Sequence, residues 1–276
     1  MNAIFSIFPK FLANLSAEQL ADTVKKVGLD TTNLVIRKGY WCEPDNLAKD
    51  VPVFCKTMER AGVKIHFATA GYMPEDIEAD DTPLRVLAAN GVREFRLGYF
   101  RGGDDPATAL DDARRRMERM ASLCEKLDVR AVYQVHHGTN IATATGAYYL
   151  VRDLPAERVG VMLDPGNQAH EGFEKWERSA RLLGDYLVSI GVKDTKVTHD
   201  ETQLDTPRKG WSTSWETVDR GQTNWHDLIG ALQVIGFDGT FVWMPFYNEK
   251  EPDIQIGKIA IEVAYMRKAV AEVTGA

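Results

Sequence analysis

Eight short apolar runs, spaced along the chain with longer stretches of helical period between them, restrict the fold more than any other feature. They lie near residues 3–8, 33–37, 63–68, 93–98, 130–135, 159–163, 186–192 and 240–244. Runs this short and this rich in β-branched residues read as buried strands, and the segments between them are long enough to carry crossover helices. Eight βα units closing on themselves predict a TIM (β/α)8 barrel of the α/β class. A length of 276 residues suits one such barrel, so a single domain over 1–276 is expected. The competing open, doubly wound sheet would want a glycine-rich phosphate turn after the first strand, and FPKFLANLS has none.

Helix signals agree with this reading. Ser16 and Gln19 form a capping box ahead of Leu20, Val24 and Val27, which share one face, and Gly28 ends that helix. Over 107–127 the stripe Leu110, Ala113, Met117, Met120 and Leu123 predicts a core-facing helix. The stretch 194–224 shows neither pattern and is expected to be a long irregular connection, the kind that usually serves function.

With 33 Lys and Arg against 40 Asp and Glu the net charge is −7, which argues against a nucleic-acid partner. No apolar run reaches the ~18 residues of a membrane span, and the opening MNAIFSIFPKFLANLS reads as a first strand rather than a signal peptide. Three widely spaced cysteines, Cys42, Cys55 and Cys124, fit a reduced cytoplasmic compartment better than disulfides or a metal site. Gly102-Gly103 is followed by Asp104-Asp105, the wrong company for a phosphate loop.

In a barrel of this kind the chemistry sits at the carboxyl ends of the strands, and strand parity picks out the inward side chains. Gln134 and His136 share a side, as do Met162 with Asp164, Gly191 with Lys193, and Val242 with Met244. Asp164 can act as a base or bind hydroxyls, although Asp-Pro-Gly is also ordinary turn chemistry. His136 suits a base, a ligand or a hydroxyl binder, while His137 is expected to point outward and to pack. Lys193 can pair with Asp164, hold a developing oxyanion or form a Schiff base. Arg37 and Arg96 suit a carboxylate or phosphate, or equally ion pairs at the barrel mouth. Trp211 and Trp215 suit a lid over a sugar ring, a packed loop, or contact with a second copy in a homo-oligomer.

The strand ends VYQVHH, VGVMLDPGN, VSIGVKD and FVWMPFY together resemble those of the xylose-isomerase-like TIM barrel superfamily, the sugar phosphate isomerases and epimerases. FPKFLANLSAEQLADTVKKVGLD, AGVKIHFATA and RGQTNWHDLIGALQVIGFDGTFVW resemble its opening, third-strand and closing segments. The family presents Glu, Asp, His and Glu to one divalent ion, where this chain has Gln134, Asp164, Gly191 and Met244, as in a branch with altered ligands. The resemblance therefore implies a small-molecule carbohydrate partner and no certain cofactor. A divalent ion, Mg or Mn, would have to use a degenerate site of Asp164, His136 and His66. Asn167 stands where the family often has a substrate-contacting His, and with Gln134 it is expected to bind hydroxyls. The implied activity is a sugar or keto-sugar isomerase or epimerase working by proton transfer beside a carbonyl, through Asp164, His136 and Lys193. A lyase eliminating from a 3-keto-glycoside, a non-catalytic sugar-binding pseudoenzyme and an endonuclease are the alternatives.

Overall fold

A computed structural model describes residues 3–275. In chain order the elements are β1 (Ile4–Ile7), α1 (Ala17–Lys26), β2 (Thr31–Val35), α2 (Leu47–Arg60), β3 (Lys64–Thr69), α3 (Pro74–Ala79), α4 (Thr82–Ala89), β4 (Glu94–Arg96) and α5 (Pro106–Leu127). They continue with β5 (Arg130–Gln134), α6 (Ala144–Val151), β6 (Val159–Leu163), α7 (Pro165–His170), α8 (Trp176–Leu183), β7 (Leu187–Val192), β8 (Asp194–His199), β9 (Trp211–Glu216), α9 (Trp225–Val234), β10 (Thr240–Trp243) and α10 (Pro252–Thr274). Eight parallel strands close a barrel in the order β1-β10-β7-β6-β5-β4-β3-β2, the TIM architecture that the alternation predicts.

Local chemistry sets the element ends. The Ser16 hydroxyl accepts from Gln19 N at 3.2 Å while the Gln19 side chain accepts from Ser16 N at 2.8 Å, completing the expected capping box. α5 carries the predicted stripe, with Ala113, Met117 and Met120 buried. β2 begins two residues earlier than expected because Thr31 and Thr32, both β-branched, join it, and it ends before the Arg37–Gly39 turn.

Two apolar layers follow from strand parity. The barrel interior is filled by Phe8, Val35, Phe67, Val132, Met162, Val188, Val242 and Met244, and a larger cluster seals the strands to the helices. Within the interior, Ser6 donates to Asn33 Oδ1 at 3.0 Å and Asn33 donates to Thr69 at 3.4 Å.

The connection after β7 departs from the expected irregular loop. β8 and β9 pair antiparallel from Asp194–Glu216 at the barrel to His199–Trp211 at the tip. Asp194 pins its base: this buried carboxylate accepts from Thr195 N at 2.7 Å, the Thr223 hydroxyl at 2.9 Å and Trp225 Nε1 at 2.9 Å. Gly221 passes so close that any Cβ there would overlap the Asp194 carboxyl. On the adjoining side Tyr247 donates to buried Glu262, which also accepts from Val218 N at 2.9 Å.

Asp194→Ala strands several buried donors and is expected to cost about 3 kcal/mol in a urea unfolding titration, with the ribbon the first segment to lose hydrogen-exchange protection.

Candidate active site at the carboxyl end of the barrel

The site is organised around one carboxylate. Asp164 leaves β6 as the N-cap of α7, its Oδ1 accepting from Asn167 N at 2.9 Å, so the turn chemistry and the site geometry are one arrangement. Oδ2 accepts from Gln134 Nε2 at 2.6 Å and Asn167 Nδ2 at 2.8 Å, and the Lys193 ammonium stands 3.4 Å away. Asp164 is fully enclosed, and Lys193 is 5% exposed. Burial pushes the carboxyl up from its ordinary range and the ammonium down, while each opposes the other's shift through their attraction.

Each donor is itself oriented. Tyr99 donates to Gln134 Oε1 at 2.8 Å, which fixes the amide so that its nitrogen faces Asp164 and, at 3.2 Å, the Met244 sulfur. Lys193 donates to Asn167 Oδ1 at 2.7 Å, an oxygen shared with His137 Nδ1 at 2.9 Å. Asn167 Oδ1 takes one ammonium N–H and Asp164 faces the charge as an ion pair, which leaves donor capacity for a ligand oxygen.

Beside this network runs a wall of rings. Tyr99, His136, His137, His170 and Trp215 follow one another at centroid distances of 4.6, 4.5, 4.7 and 4.7 Å. Trp215 continues to Phe246 at 5.9 Å, and Lys193 Nζ lies 4.6 Å and 4.9 Å from these two ring centroids. His136 Nδ1 donates to the His137 carbonyl at 2.7 Å, which leaves Nε2 as the free ring nitrogen. Burial, with the Lys193 charge nearby, pushes this imidazole down to about 4, so Nε2 is an unprotonated acceptor at neutral pH. A neutral base, a buried ammonium and an aromatic wall together can take a proton from carbon and hold the resulting oxyanion.

The family model described as "Xylose isomerase-like TIM barrel" matches residues 84–268, about two thirds of the sequence. The chain belongs to the xylose isomerase-like TIM barrel family. Solved structures agree in fold. A 3-keto-D-glucoside 4-epimerase from E. coli is 13% identical with a TM-score of 0.69, over 97% of this chain and 99% of its own. A xylose isomerase-like TIM barrel protein from Mycobacterium smegmatis, in complex with magnesium, is 16% identical with a TM-score of 0.70, over 98% and 97%. A D-psicose 3-epimerase from Clostridium cellulolyticum H10, with D-tagatose, is 14% identical with a TM-score of 0.68, over 98% and 99%. At such identities the likeness speaks for the fold. No curated protein matches the sequence.

The family's divalent ion does not fit these residues. Gln134, Asp164, Gly191 and Met244 do converge, but an amide and a thioether replace two hard ligands, and the amide turns its N–H toward Asp164. A Cβ on Gly191 would stand 3.0 Å from Asp164 Oδ2, so the carboxylate already fills the room that a side chain there would need. His66 corrects the alternative ligand set: it lies beside Glu94, 3.5 Å away, and lines a cavity with Arg130, Asp185 and Gly239 at the amino end of the barrel. Among the described residues no three His, Cys, Asp or Glu side chains are grouped to hold a metal ion.

Of the other expected residues, Asn167, Lys193, His136 and Trp215 come together at the network, and Arg37 and Arg96 lie at the mouth. Trp211 does not join them. It is 52% exposed at the ribbon tip, against His199 at 4.5 Å. His137 corrects its expected outward placement, since it bonds Asn167 and stacks between two imidazoles. Tyr99, His170 and Phe246 went unnoticed in the sequence, though Phe246, two positions past Met244, continues that strand's inward parity.

Removing one partner of the buried pair exposes what it contributes. Lys193→Met leaves an uncompensated carboxylate and is expected to cost about 3 kcal/mol or more, of which Lys193→Met with Asp164→Asn regains a large part, as read from denaturant midpoints.

Proposed function

We propose that the protein is a sugar or keto-sugar isomerase or epimerase that moves a proton beside a carbonyl using its own side chains. The observation that carries this reading is the buried Lys193 ammonium, paired with Asp164 and bonded to Asn167 with donor capacity to spare, near the unprotonated Nε2 of His136. His136 takes the proton from the carbon next to the carbonyl, and the electron pair moves onto the carbonyl oxygen, which Lys193 stabilises. In an isomerisation the proton returns to the former carbonyl carbon while the hydroxyl proton passes between the two oxygens; in an epimerisation water supplies a proton to the opposite face of the same carbon and His136 releases the one it took to the hydroxide left behind. Asp164 has both oxygens engaged, so its role is to hold Lys193, Asn167 and Gln134 in register. Trp215 and Phe246 offer apolar faces to the sugar ring. The fold's occurrence in proteins described as a 3-keto-D-glucoside 4-epimerase and a D-psicose 3-epimerase supports the substrate class.

The same enediolate can expel a leaving group from the next carbon, which makes a 3-keto-glycoside lyase the second reading. It is favoured by the stacking of His136 on His137 at 4.5 Å: His137 donates through Nδ1 to Asn167 Oδ1 and so presents a second unprotonated Nε2, and the proton that an imidazole takes from carbon is then available to the leaving oxygen.

Deuterium exchange from D2O into 3-keto-glycosides and ketoses, followed by NMR, tests the shared step. Lys193→Met and His136→Asn are each expected to slow exchange by about 100-fold or more. A wild-type protein that exchanges no such proton contradicts the proposal. The kcat/KM profile carries a second test. Because the His136 value is depressed, its basic form persists as pH falls, so the rate stays level through pH 6.5 and declines only near pH 4. A decline centred at 6.5 removes His136 from the role.

A further inference from the structure

The mouth of this acidic protein is cationic. Lys10 follows β1, Arg37 follows β2 and Arg96 ends β4 with its side chain on the interior face, in register with Val132 of the barrel core. Lys193 Nζ and Lys10 Nζ both stand 4.9 Å from the Phe246 ring centroid, and Lys250 Nζ shares the Phe11 ring with Lys10 at 4.8 and 5.2 Å. Lys193 has Asp164 as its carboxylate. Among the described residues no carboxylate lies within ion-pair distance of Lys10, Arg37 or Arg96, whereas arginines elsewhere on the surface are paired repeatedly, as in Arg116–Glu75 and Arg158–Glu125.

Arg96 is the most telling of the three. It is 9% exposed, its guanidinium lies 4.8 Å from the Tyr99 ring centroid, and its Nη1 is buried without any acceptor. A buried guanidinium with an unanswered N–H is costly unless something else supplies the acceptor. Its neighbours make matters worse, since Lys10 is pushed down first by burial and then by the charges of Arg37, Lys250 and Arg96. Folding alone gives no reason to gather repelling cations here. The Lys10 backbone is held there by Tyr40, which donates to its carbonyl at 2.8 Å, and Arg37 stacks on Tyr40 at 5.7 Å.

We propose that Lys10, Arg37 and Arg96 form an oxyanion subsite, so that the substrate is a sugar bearing a carboxylate or a phosphate ester, with its reacting carbon toward Lys193 and His136. This rests on the proton-transfer reading for the sugar, while the anion subsite stands on its own geometry. An anion there supplies the missing acceptor for Arg96 and relieves the mutual repulsion of the cations. The positive mouth in an otherwise negative molecule also concentrates anions at the barrel entrance.

Thermal unfolding in inorganic phosphate and in acetate, against chloride at matched ionic strength, tests the subsite without a known substrate. The wild type should show a saturable rise in midpoint of about 2 °C or more with phosphate or with acetate, the responding anion identifying the group. Arg96→Gln should lose that rise while its midpoint in chloride stays level or increases, because repulsion is relieved. Arg37→Gln, in a half-buried turn, should weaken the anion's apparent affinity about tenfold. No rise above chloride in the wild type, or an equal rise in both variants, overturns the proposal. An Arg96-dependent rise without proton exchange on any sugar supports the subsite and defeats the proposed reaction. Exchange on a neutral keto-sugar that Arg96→Gln leaves unchanged, with no anion response, does the reverse.

Discussion

A carboxylate with no exposed surface is the constraint on which the barrel mouth depends. Taking Asp164 out of water costs several kcal/mol, and the network is arranged to offset it. Gln134 from β5, Asn167 from α7 and Lys193 from the end of β7 all direct donors at its two oxygens. Gly191 contributes by lacking a side chain, which leaves the carboxylate its place. Tyr99 then fixes the Gln134 amide, so β5, β6, β7, α7 and the segment after β4 are held by a single charge. Once Asp164 is satisfied, Lys193 is immobilised with it, and the ammonium is delivered to the mouth with little freedom left to lose.

This arrangement alters what the family fold does at its centre. A divalent ion can polarise a carbonyl and also organise several ligands. In the proposed reaction the polarising charge is a lysine side chain, and the organising task falls to amide hydrogen bonds and to the stack of His136, His137, His170 and Trp215. The β8–β9 ribbon matters because it brings Trp215 to Lys193, and Asp194, next in sequence to Lys193, anchors the base of that ribbon. The adjacent residues Lys193 and Asp194 therefore divide the work, one facing the site and the other securing the cover.

The fold was legible because burial on both faces of a parallel strand leaves short, mostly apolar runs, and all eight runs appear as barrel strands. Parity located Gln134, Asp164, Lys193 and Met244 because these positions lie on or just past regular strand. It misplaced His137 because β5 stops at Gln134, and beyond that point the backbone turns and alternation carries no information. It misled at His66 for another reason. Parity gives the side of a strand but not the depth along it, and His66, third in β3, sits toward the amino end. The ribbon escaped notice because its residues are mostly exposed or half-buried, so β8 and β9 lack the apolar signature that marks the barrel strands.

In the proposed reaction Lys193, fixed by Asp164, supplies the positive charge that the family fold otherwise takes from an ion. Solvent-deuterium exchange into a keto-sugar, measured on protein stripped with a strong chelator and assayed in its presence, tests this most directly. The exchange rate should be unchanged by chelation and unchanged again when Mg or Mn is restored. Exchange that vanishes on chelation and returns with the metal would contradict it.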